Sequence, residues 1–458
     1  MNRIMMAALA GLAALAVTTL GPAAPPARAQ GPEGPYWPAQ ADTAFDAYVR
    51  SMSDSTDAFF GLTAQEPDTA GLDSALAEGL AKPIDAKAPV RLQFALSPRL
   101  SFNRATGAVM GGQAGIGATR QLGRVTGWAE WANGPDFWMG GGRWVKRWGG
   151  DEDGASWKLD VSGARDYTAF DRDHFDRQFD ALYAVVYGND RNHYLRTDGL
   201  DVALSRTYAQ RWATLAYRNQ LESPLVTMAT WNLFRRKPAV IENRAAALGR
   251  ASEARLSAGA RLPRVPVTVE AQWWGAGGPL GGDFEYSRAR VAAGGAFPLG
   301  ELFALLPQAH YGRVTGQALP QNAFYLGGGP GLRVAHGQSL QGTGAAGASL
   351  ELLLQDDLLH ALHLRQPPVF PIQASVFAGL GACWGYDPVT GLARLTDANF
   401  PEAREWQPEV GASLLFRPGI PDPDQYIRFT WALPVGPGDR GMRAALSIGT
   451  SLSSLHRR

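Results

Sequence analysis

From about Val90 to the end of the chain, apolar residues return at every second position, and this period of two most constrains the fold. Ile427, Phe429, Trp431 and Leu433 alternate with Arg428, Thr430 and Ala432. Met442, Ala444, Leu446 and Ile448 do the same, as do Ala374, Val376, Ala378 and Leu380, and Val267, Val269, Ala271 and Trp273. Leu350, Leu352 and Leu354 alternate with Ser349, Glu351 and Leu353. Period two is the side-chain period of a β-strand. The opposite faces are built from Gly, Ser, Thr, Gln and Arg, where a water-soluble sandwich would place bulk. In a lipid-embedded barrel the apolar face looks outward and the polar face lines a lumen. Runs of about ten residues suit a tilted membrane strand. After residue 30 no stretch of eighteen apolar residues occurs, which excludes a helical membrane protein but not a barrel. The expected fold is an all-β, transmembrane antiparallel β-barrel over 90–458, with about sixteen strands.

Composition agrees. The chain has 54 Gly, 14 Trp, 13 Tyr and 19 Phe, which suits tight strand turns and aromatic girdles. Trp273-Trp274 are expected at the membrane interface. A soluble all-β protein such as a propeller is the competing class. A net charge of +1 gives no field for nucleic acid. One cysteine, Cys383, allows no internal disulfide. WGGDEDGASW (148–157), FDRDHFDR (170–177) and GYDPVTGLARLTDANFPE (385–402) read as polar connections, two of them long enough for outer loops.

The N-terminus differs. Residues 1–29 read as a secretory signal peptide: a basic start at Arg3, an apolar run from Ile4 to Leu20, and Ala27-Arg28-Ala29 before the cut. Residues 30–89 hold only Val49 and Ile84 as β-branched aliphatics. Phe45, Val49, Met52 and Phe59 recur at helical spacing, so a short partly helical linker is expected ahead of the barrel.

One stretch breaks the pattern: FYLGGGPGLRVAHG, 324–337. It is not a phosphate cradle, because no Lys follows the glycines and Leu332 stands where a third Gly would be needed. It resembles the hallmark loop of the BamA/TamA family of outer-membrane barrels, the bacterial surface antigen family. Phe324, Leu326-Gly327-Gly328 and Leu332-Arg333 match, while Val334 and Ala335 depart from the expected Gly and aromatic. GTGAAGASLEL ending at Glu351-Leu352, FAGLG at 377–381, FNRATGAVMGG at 102–112 and YGNDRNHYLRTDGLDVALS at 187–205 match other family segments in order. The resemblance implies that the loop folds back into the lumen and that Arg333 pairs with Glu351. A guanidinium inside a barrel needs such a partner to offset its desolvation. The family's second carboxylate is absent, since Gly379 stands in its place.

Other candidates carry less. His360 and His363 lack a third metal ligand. Asp171, Asp173, His174 and Asp176 read as a solvated loop, and Asp151-Glu152-Asp153-Gly154 lacks the rest of a calcium loop. Cys383 beside Trp384 reads as a packed apolar residue. No G-x-S-x-G or H-E-x-x-H occurs, so no enzyme, cofactor or metal is expected. The resemblance implies an exported outer-membrane barrel in contact with outer-membrane lipid and lipopolysaccharide. It would assist insertion or translocation of unfolded outer-membrane or secreted polypeptides, at a weakly paired seam between first and last strands. Residues 31–89 do not make the docking (POTRA) domain of assembling members. The alternative is a passive pore or structural barrel with no assembly activity.

Overall fold

The computed structural model describes residues 92–118, 123–149, 154–170, 181, 184–185, 192–229, 242–327, 332–333, 340–361, 372–385, 400–416, 425–435 and 443–450. The chain divides into two units. The described residues belong to one of them, and the other, Leu20–Val90, lies outside the described residues, as do the expected leader and linker.

The first unit is one antiparallel sheet of sixteen long strands, joined hairpin by hairpin. They are β1 (Leu92–Asn103), β2 (Gly107–Ala118), β3 (Gly123–Ala132), β4 (Phe137–Gly149), β5 (Ala155–Ala169), β6 (Tyr194–Tyr208), β7 (Arg211–Pro224), β8 (Gly249–Arg261), β9 (Val267–Ala276) and β10 (Tyr286–Gly295). A three-residue β11 (Phe297–Leu299) continues β10 past Ala296 along the same partner, β12 (Phe303–Gly316). The loop after β12 carries β13 (Phe324–Leu326) and β14 (Leu340–Gly342), which pair only with each other. The wall resumes with β15 (Gly344–Leu354), β16 (Ile372–Trp384), β17 (Gln407–Phe416), β18 (Gln425–Pro434) and β19 (Arg443–Thr450). Among the described residues no ladder joins β1 to β19.

The two faces invert the order of a water-soluble sheet. Outward positions carry exposed apolar side chains, with Leu96 at 86%, Phe94 at 74% and Trp138 at 67% exposure, joined by Leu204, Leu215, Val376 and Val410. Inward positions hold buried charge: Glu130, Glu222, Glu253, Glu351, Glu409 and Arg428. Several charges on this face are paired inside the wall. Arg99 meets Glu130 at 2.6 Å, Arg143 meets Asp160 at 2.5 Å, and Arg218 meets Asp201 at 2.9 Å. Burying such charges without partners would be costly, so the pairs let the lumen wall keep them. Along β5 the outward face from Trp157 to Arg165, the aromatic and charged edges of the belt, spans about 27 Å of strand, or roughly 20 Å of height at the usual tilt.

The hairpins divide by end. The turns on the side of the β6–β7 connection are short, apart from 355–371. Those on the other side include 170–193, 225–248, 317–343 and 385–406.

Trp274 corrects the reading of Trp273-Trp274 as an interface pair. Alternation puts only Trp273 outward, where its Nε1–H donates to Ser287 Oγ at 2.8 Å. Trp274 is buried on the lumen face, because strand period two cannot place adjacent residues on one side.

Candidate functional site

The polypeptide leaves β12 at Gly316 and turns inward instead of continuing into a surface loop. Gln321 fixes this departure: its Oε1 accepts from Ala247 N–H and its Nε2 donates to Ala247 O, both at 3.0 Å. Asn322 closes the turn on Leu319 N–H and Gln317 O. β13 and β14 then form a two-stranded ladder inside the barrel wall. Tyr325 reaches Phe170 and His193, with ring centroids 6.2 and 6.4 Å apart. The loop between β12 and β15 therefore touches the far side of the sheet, at the junction of β5 and β6.

Glycine on the inner wall makes room for this. Phe324 lies against Gly312, where a Cβ would collide with the ring, and Leu332 lies against Gly381 in the same way, with Leu326 in contact beside it. Gly327, at φ 134°, turns the chain after Leu326 in a conformation that other residues disfavour. Phe324, Leu326 and Leu332 are all buried, and Phe324 and Leu326 pack with Cys383 and Ala345. Arg288 holds the root of the loop. Its guanidinium lies 4.4 Å from the Phe324 ring and 4.6 Å from that of Trp274, and Arg255 lies over the same indole at 5.4 Å. Tyr286 donates its hydroxyl to Glu253 beneath this group.

Arg333 marks the tip. Its Nη2 donates to Glu351 Oε2 at 2.7 Å, and its guanidinium stands 4.4 Å from the Phe377 ring. Glu351 is 1% exposed and serves a second cation: Arg428 Nη1 lies 3.0 Å from Oε1. The backbone N–H of Arg333 donates to Glu409 Oε1. Glu409 is the direct register partner of Gly379, the position where the sequence shows no second carboxylate. A carboxylate thus stands one strand over, on β17. Phe377, Gly379 and Gly381 share the inner face of β16; Phe377 lies against Gly411 of β17.

The structure thus brings together Phe324, Leu326, Gly327, Leu332, Arg333 and Glu351, and adds Glu409, Arg428, Phe377 and Arg288. Gly328 lies outside the described residues, as do Val334, Ala335, the aspartates of 171–176, Asp151–Asp153, His363 and the His360 side chain. Arg428 and Glu409 stand on polar faces legible in the sequence, but only strand register shows that they converge on one loop. Among the described residues no cluster of three His, Cys, Asp or Glu is placed to hold a metal. Cys383, the single cysteine of the chain, is buried beneath the loop.

No protein-family model matches the chain, and no curated protein sequence matches it. Solved structures do: CdiB from Acinetobacter baumannii, at 11% identity and a TM-score of 0.40, over 78% of this chain and 65% of that one; and CdiB from Escherichia coli, at 11% identity and a TM-score of 0.41, over 81% of this chain and 63% of that one. The chain spans less than two thirds of the length of each.

Proposed function

We propose that this protein is an exported outer-membrane barrel that assists insertion or translocation of polypeptides, in the manner of the BamA/TamA family that its loop resembles. The observation that carries the reading is the buried group of Arg333, Glu351, Glu409 and Arg428. The loop drawn inward and fastened by charge is the feature that the resemblance led one to expect. The apolar outward belt supports the membrane location, and the side bearing the N-terminal entry to β1 is assigned to the periplasm. A polypeptide passing along or into the wall would keep its backbone groups paired at a strand edge.

The test is assembly of an unfolded model barrel by the purified protein in proteoliposomes, alongside conductance in planar bilayers. Assembly above the rate of empty liposomes is expected, with loss in Arg333→Glu. Conductance without assembly would leave a passive pore and overturn the reading.

A further inference from the structure

The outward face of β4–β7 carries a group of side chains that the loop does not involve. Trp148 and Trp157 stack at 6.4 Å with an interplanar angle of 6°. Arg206 lies over Trp157 at 5.2 Å and is its direct register partner. Lys146 stands on the same face of β4, two residues before Trp148. Tyr208 and Arg211 are paired across the β6–β7 hairpin. Register places these residues on the face that also presents Leu204 and Leu215. From Lys146 through Trp157 and Arg206 to Arg211, the line moves four residues toward the turns in three strand steps, by two, none and two. A little over one residue per strand is the size of the stagger that a tilt of about 40° imposes in a barrel.

Three cations and three amphipathic rings at the turn end of the belt, next to apolar wall, match the boundary between acyl chains and headgroups. On this face of β4–β7 the only described carboxylate is Asp198. It lies at the opposite end of the belt, paired with Arg165 at 2.8 Å. The charge therefore complements phosphate.

We propose that Lys146, Arg206 and Arg211, with Trp148, Trp157 and Tyr208, form a site for the headgroup of an anionic phospholipid in the leaflet next to the β6–β7 turn. This inference rests on the membrane reading above. The rings would sit at the level of the glycerol backbone, and the cations would reach the phosphates. At the far end of the belt Asp198 offsets Arg165, so that end carries less net charge, with Arg196 beside the pair.

The test is native mass spectrometry of the full mature protein, released from vesicles of equal phosphatidylglycerol and phosphatidylcholine. Roughly tenfold preferential retention of phosphatidylglycerol is expected, from the attraction of basic residues to anionic lipid surfaces. It should fall to near parity in the Lys146→Gln, Arg206→Gln, Arg211→Gln variant and persist in Arg165→Gln. Equal retention of both lipids by inserted wild-type protein would overturn the site while leaving the barrel reading intact, as would a triple variant with undiminished preference. Failure of the wild-type chain to enter these vesicles would overturn the membrane reading and the site together.

Discussion

Glu351 occupies the centre of the residue-scale account, because one carboxylate answers two guanidiniums. Replacing it leaves Arg333 and Arg428 facing each other in a buried wall. Breaking a buried pair from one side costs about 3–5 kcal/mol. Glu351→Gln is therefore expected to lower stability in denaturant titrations from liposomes by that amount, and more than Arg333→Gln, which leaves Glu351 its Arg428 partner. Glu409→Gln should be milder than Glu409→Ala, since an amide oxygen can still accept from the Arg333 N–H. His193 gives a pH signature outside the strands. Its Nδ1 accepts from the Arg244 N–H at 3.1 Å, which fixes a neutral ring. Burial, then the charges of Arg104 and Arg244, push its pKa from 6.5 down to about 2. The unfolded chain takes up a proton near 6.5 and the folded ring does not. This contribution is complete above that pH and is lost as pH falls below it, by about 1.4 kcal/mol per unit. Unfolding between pH 7 and 5 should show this slope, and His193→Gln should flatten it.

The lumen hairpin is the element on which the site depends, and Cys383 reports on it. Phe324 and Leu326 cover this thiol, the only one in the chain. Phe324→Ala is expected to raise maleimide labelling of Cys383 in the folded protein by an order of magnitude or more, on the view that exposure of a protected group follows local opening. Arg333→Gln should raise it less, because Gln321 and Arg288 still hold the root. Equal labelling of the two variants would mean that the loop leaves the wall as one piece. Sequence alone exposed the loop through its glycines and its single arginine, and the Arg333–Glu351 pairing through family resemblance. It could not expose Glu409, since two polar faces on adjacent strands meet only once register is fixed, and register depends on loop lengths and pairings across the whole sheet. Trp274 was misread for a related reason: a Trp pair looks like an interface signal until alternation assigns its members to opposite faces. The root clamp of Arg288, Trp274 and Phe324 joins residues from three segments with no shared motif.

At the scale of the molecule, one inversion organises everything else: apolar side chains point away from the lumen and charged pairs point into it. Val202 and Ala203 are neighbours on β6. Val202 pairs with Val161 and Tyr217 on the outward face, and Ala203 pairs with Asp160 on the inward face. The most direct test is the free energy of folding into phospholipid vesicles for Val202→Arg and Ala203→Arg. Val202→Arg is expected to lose about 2–4 kcal/mol, the cost of a cation on a lipid-facing wall, and Ala203→Arg, beside Asp160, to change much less. The reverse order, or equal costs, would contradict the inversion.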